Sequence, residues 1–252
     1  MRIDEGLLLY GVPVPISGLG HLKSPKLKEI FSGITSLSGY RMTHTLLCCK
    51  KSDMKEIIST LGIENDYQDM SDLAYDEEDK FGLIIHSPYL REMFSEGLSL
   101  FFDEKVTYDE RMQGYALLGE NDKPTGVIIK SNYRIAENML RQVLFDGDRD
   151  SPEDLKFASE KAKELWEKAN RLEEKAPKQN TDDYQLTNII SKLSCANIGY
   201  TIFSIYELTV YQLYDQFYAY CQNRIAALSE NAYAHNGGED FDCMAWMHKK
   251  KE

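Results

Sequence analysis

No stretch of this chain approaches the ~18 consecutive apolar residues that a membrane-spanning helix requires. The opening MRIDEGLLLYGVPVPI has neither a basic flank nor a long apolar run, so it does not read as a signal peptide. Cysteine is sparse: five residues, at 48, 49, 195, 221 and 243, an odd number with no C-x-x-C pair. That argues against a disulfide framework and fits free thiols in a reducing compartment, so a cytoplasmic protein that does not enter the membrane is expected. Basic residues are also short, 29 Lys and Arg against 41 Asp and Glu, for a net charge of −12. Phosphate neutralisation needs a concentrated basic surface, so general nucleic-acid binding is not expected. Gly18-x-Gly20 and Gly237-Gly238 lack the strand-to-helix context and the lysine of a phosphate loop, and read as turns.

What is present is ordinary globular material. A chain of 252 residues with 42% hydrophobic and 28% charged content can bury a substantial core without metal or disulfides. Leu7 to Ile16, broken by Gly11, Pro13 and Pro15, reads as an edge strand or extended lead-in. Ser24-Pro25 has the arrangement of a helix cap followed by a first-turn proline, with Leu27, Ile30, Phe31 and Ile34 behind it. Gly33 and Gly39 interrupt that helix, and Met42 to Cys49 form a second stretch. Ser52-Asp53 caps a third helix, which Gly62 ends. Ser87-Pro88 opens another, whose buried side is dominated by aromatic residues.

Between Lys105 and Lys130 the pattern changes to short β-type runs at Val106 to Tyr108, Tyr115 to Leu118 and Val127 to Ile129, with Gly119 to Gly126 as a turn. Helical spacing resumes after Ser131, expected to be a cap. It returns again after Ser151-Pro152-Glu153-Asp154, in a charged segment to about Lys175, and after Thr181 through Leu186, Ile189, Ile190 and Leu193. The fold class expected is mainly α (α+β), a multi-helix domain with a small antiparallel β-hairpin insert near 105–130. The chain divides into an N-terminal helical region with that insert, 1–150, and a C-terminal helical region, 151–252, or runs as one continuous domain.

The last long apolar-periodic segment, Thr209 to Asn236, organises the chain. Val210, Leu213, Tyr214, Phe217, Cys221, Ile225, Leu228 and Ala232 recur at helical spacing, Thr209 is placed to cap, and glycines follow. Six aromatic residues between Tyr211 and Tyr233 exceed what one buried stripe absorbs. Some therefore face a partner or a neighbouring helix, unless all of them fill the core.

Candidate chemistry is thin. Asp146, Asp148 and Asp150 begin like a calcium loop, but Ser151 and Phe157 stand where glycine and glutamate are needed. The acids from Glu64 to Asp79 read either as a cation or docking site or as a solvated face. His44 and Cys48 share a helix face with no third catalytic group beside them, and Cys221, His235, Cys243 and His248 match no zinc spacing. No catalytic residue, cofactor or metal is assigned.

Several stretches together resemble the tail assembly chaperones of long-tailed phages of Gram-positive bacteria. They are LLLYGVPVPI with KSPKLKEI, MFSEGLSLFFDEKVTYDE, GVIIKSNYRIAENMLRQVL, and above all LTVYQLYDQFYAYCQNRIAALSENAYAHNGGEDFDCMAW. The resemblance implies a non-enzymatic protein of the host bacterial cytoplasm that helps tail-tube protein assemble on the tape-measure protein. Self-association is a further expectation. Tyr211, Tyr214, Tyr218, Phe241 and Trp246 are the candidate contact residues, as aromatic anchors for an apolar helix. The alternatives are a minor tail protein retained in the virion and a metal-dependent enzyme.

Overall fold

A computed structural model describes residues 2–144, 186–196 and 199–236. Among them lie ten α-helices, two small antiparallel sheets and several 3-10 turns, a mainly α (α+β) fold. The first helix, α1 (Glu5–Tyr10), corrects the expectation of an extended lead-in, since only β1 (Val14–Ile16) is a strand there. Local caps decide it. The Asp4 carboxylate accepts the N–H groups of Gly6 and Leu7, and Gly11, at φ 77°, turns the chain left-handed and closes the other end. Strand β1 pairs with β2 (Gly20–Leu22).

Helix α2 (Leu27–Ile30) starts later than the Ser24-Pro25 pattern predicts, and Ser24 does not cap it. Its hydroxyl is buried and donates instead to the Val143 carbonyl at 2.9 Å, while Glu29 accepts the Lys26 N–H at 3.0 Å. Gly33 does precede α3 (Ile34–Cys48), but Gly39 lies inside that helix and does not interrupt it. The reason is tertiary. Helix α3 crosses α7 (Pro88–Phe101) so closely that a Cβ on Gly97 would stand 1.9 Å from Thr43 Oγ1 and 2.4 Å from the Gly39 carbonyl oxygen.

Helices α4 (Met54–Leu61), α5 (Asp72–Glu77) and α6 (Lys80–His86) lie between them in sequence. Gly62 ends α4 at φ 67°, as its position predicts. Asp53 does not cap that helix; its carboxylate accepts the Lys50 N–H at 2.8 Å and closes a preceding 3-10 turn. Ser87 and Pro88 act as expected, with Ser87 Oγ accepting the Leu90 N–H at 3.2 Å.

The β segment forms a three-stranded sheet, β3 (Lys105–Asp109), β4 (Gly114–Leu118) and β5 (Pro124–Ile128), in the order β3-β4-β5. It is integral to the core. Residues Gly114 to Leu117 are buried, and the Tyr115 ring meets those of Phe94 and Tyr108, each at 5.5 Å. Helix α8 (Tyr133–Val143) follows, buried at Tyr133, Ala136, Met139, Leu140 and Val143, with Ile135 left exposed. Ser131 does not cap it. Asn132 secures the turn instead, accepting the Ile129 N–H and donating to the Val127 carbonyl, both at 2.8 Å. Helix α9 (Leu186–Cys195) buries the expected Leu186, Ile189, Ile190 and Leu193 and touches α10 (Val210–Asn236).

Candidate protein-interaction surface

The N-terminal end of α10 is fixed by local and long-range bonds. Thr209 Oγ1 accepts the Gln212 N–H at 3.2 Å and Gln212 Oε1 accepts the Thr209 N–H at 2.9 Å, a reciprocal capping box. The same Gln212 donates its amide to the Leu9 carbonyl at 2.7 Å, tying the helix to the end of α1. The Val210 N–H donates to the Pro25 carbonyl at 2.9 Å and the Tyr211 N–H to Ser24 Oγ at 3.0 Å. Four donors that a helix start leaves open are thus largely accounted for. Val210 and Leu213 are fully buried behind them.

Further along, α10 leaves the body. Tyr214, Phe217 and Tyr220 are half-buried against the core, whereas Tyr218 is 46%, Ile225 57% and Leu228 66% exposed. Arg224 Nη1 lies 3.4 Å from the Tyr220 hydroxyl. The apolar stripe read from the sequence is therefore real as a periodicity, but only its first part is covered by the core.

The candidate anchors separate accordingly. Tyr211 is a core residue; burial, and then the neighbouring Glu5 and Asp215, push its hydroxyl pKa up to about 12. Tyr214 is half-buried, and Tyr218 faces solvent. Phe241 and Trp246 lie outside the described residues, as do Trp166, the Asp146 to Asp150 stretch, Cys243 and His248. Ile225 and Leu228, which the periodicity alone assigns to the buried face, join Tyr218 as exposed apolar side chains. Just before α10, Phe203 is 87% exposed at the start of a 3-10 turn that packs on α2.

The end of the acidic stretch, Asp76 to Asp79, is tied down by lysines distant in sequence. Lys130 pairs with Glu78 and, at 3.8 Å, with Asp79, and Lys55 reaches Asp76 at 3.5 Å. The hydrogen bond from Lys130 holds the Glu78 carboxyl below the usual range. Lys80, largely buried, pairs with Glu137 and donates to the Cys49 carbonyl at 3.1 Å. No group of three or more His, Cys, Asp or Glu side chains that could hold a metal ion occurs among the described residues. His44 Nε2 and Cys48 Sγ are 3.9 Å apart.

A buried carboxylate that the sequence reading did not single out is Glu104. It accepts the His21 N–H at 3.0 Å and the His21 ring Nδ1 at 2.8 Å, joining β2 to the approach to β3. Burial alone would raise its pKa, but the bonds from His21 hold it below the usual range. An open depression of about 410 Å³ beside Lys23, Lys28 and Ser99 offers no free cation, because Lys23 pairs with Glu29 and Asp103 and Lys28 with Glu207.

Among the described residues, α10 thus begins embedded in the core and leaves Tyr218, Ile225 and Leu228 exposed further along. Residues 175–251 match the family model described as YomV second domain, a phage-type family, and the matched stretch contains α9 and α10. The match suggests a phage-related protein. No curated protein matches the chain, and no solved structure does. No helix among the described residues is long and apolar enough to cross a membrane.

Proposed function

We propose that this chain is a non-enzymatic phage tail assembly chaperone that binds the tape-measure protein, the tail-tube protein or both during tail morphogenesis in the host cytoplasm. The observation that carries the reading is the outward half of α10, where Tyr218, Ile225 and Leu228 present apolar side chains to solvent within the stretch that matches the phage-type family. An apolar ridge on a helix is a natural dock for an apolar helical segment of a partner. The net charge of −12 keeps the remaining surface from non-specific association.

Affinity capture of the chain from infected cells, with mass spectrometry of the bound proteins and of purified virions, tests the proposal. Recovery of tape-measure or tail-tube protein, with the chain missing from virions, is the expected result. Abundance in virions would instead make it a structural tail component, and capture without either partner would remove the chaperone reading.

A further inference from the structure

The outer part of α10 carries little charge. From Tyr218 to Asn236 the Lys, Arg, Asp and Glu residues are Arg224 and Glu230, both exposed. Helical geometry separates the two. At about 100° per residue, the exposed Tyr218, Ile225 and Leu228 fall within an arc of about 80°, and Arg224 lies about 40° beyond Leu228. Glu230 falls about 160° from Leu228. Arg224 therefore borders the apolar ridge, and Glu230 does not.

The guanidinium of Arg224 leans on its own helix. Its Nη1 donates to the Tyr220 hydroxyl at 3.4 Å, and Cζ stands 5.9 Å from the centre of that ring. Among the described residues no carboxylate pairs with it, although the chain holds 41 Asp and Glu. Water satisfies its other donors as long as the ridge is open. A helix with its side chains is about 10 Å across, so one laid along Tyr218, Ile225 and Leu228 reaches past Leu228 and covers Arg224 as well. A cation covered without a countercharge opposes docking, whereas a carboxylate converts it into a strong, fork-shaped pair of hydrogen bonds.

We propose, resting on the reading of this ridge as the dock for a phage tail protein, that the partner's docking segment is an apolar helix with an Asp or Glu at one flank, and that Arg224 is the residue that selects it. A segment that is apolar throughout leaves the guanidinium stranded, and one with Lys or Arg at that flank is repelled. Because the cation borders one side of the ridge, the pair also fixes how the partner helix is turned about its axis.

Interferometry with the full chain against purified tape-measure and tail-tube proteins tests the proposal, with Leu228→Glu, Arg224→Glu and Arg224→Lys. All three substitutions are at exposed positions, so an unchanged circular dichroism spectrum is expected. Leu228→Glu should abolish binding to whichever protein docks. Arg224→Glu should weaken it about tenfold or more, with Arg224→Lys, which keeps the charge but loses the fork, falling between it and the wild type. Raising salt from about 0.05 M to about 0.5 M should weaken the wild type more than Arg224→Glu. Binding that Leu228→Glu abolishes and Arg224→Glu leaves intact overturns the selecting role of Arg224 while the docking ridge stands. A wild type that binds neither protein removes the docking reading and the role of Arg224 with it.

Discussion

Ser24 and Tyr211, 187 residues apart in sequence, are joined by a 3.0 Å hydrogen bond from the Tyr211 backbone N–H to the buried Ser24 hydroxyl, which donates in turn to the Val143 carbonyl. One side chain thereby connects the start of α2, the end of α8 and the first turn of α10. The long helix is held at its root by the N-terminal part of the chain, and its outer half is left to other contacts.

Ser24→Ala should be destabilising well beyond the loss of one small polar group. It strands a buried N–H and a buried carbonyl, and the expected cost is ~1–3 kcal/mol. Urea unfolding should show a lower midpoint with an unchanged slope.

The Gly39–Gly97 crossing sets a second expectation. Gly97→Ala should destabilise by ~1–3 kcal/mol or more, because the added methyl would meet both Thr43 Oγ1 and the Gly39 carbonyl. Combining it with Thr43→Ala should restore only part of the loss, since the backbone carbonyl at 2.4 Å remains. Thermal melting of the single and double variants checks this.

Along α10 the effect of truncation should depend on position rather than residue type. Leu213→Ala, in the core, should cost ~2–5 kcal/mol, whereas Leu228→Ala should stay within ~0.5 kcal/mol. Equal losses in chemical denaturation would mean that the outer half is covered within a single chain.

These comparisons also locate what could be read from the sequence. Ser87-Pro88, Thr209, Gly62 and the three β runs were legible because each follows a local rule of caps, turns or alternation. The roles of Ser24 and Gly39 are set across the fold and are not legible locally: a cap motif does not reveal a competing buried acceptor, and a helical glycine does not reveal the helix that crosses it. Helix α1 was missed because six residues are too few for a period to show, although Asp4 and Gly11 mark its ends. The periodicity of α10 placed Ile225 and Leu228 on the apolar face correctly. It could not say where the body beneath that face ends, so the exposed part of the candidate surface emerged only from the fold.

The Glu104 carboxylate gives a pH-dependent prediction. Its folded-state pKa is depressed by the bonds from His21, so its contribution is present above the unfolded glutamate value, ~4.3. That contribution is lost as pH falls through the lower folded value. Glu104→Gln should therefore lower stability at neutral pH, by ~1–3 kcal/mol for the weakened buried bonds, and should flatten the acid side of the stability profile. Denaturation midpoints measured between neutral pH and the acid limit of folding would reveal an unchanged slope if the pair is inconsequential.

The most direct test of the account is residue-resolved hydrogen exchange of the purified chain with and without tape-measure protein. The account predicts added protection concentrated between Tyr218 and Leu228, with the core strands β3 to β5 unchanged. Protection confined to other surfaces, with that part of α10 unaffected, would contradict the assignment of its outer half as the contact surface.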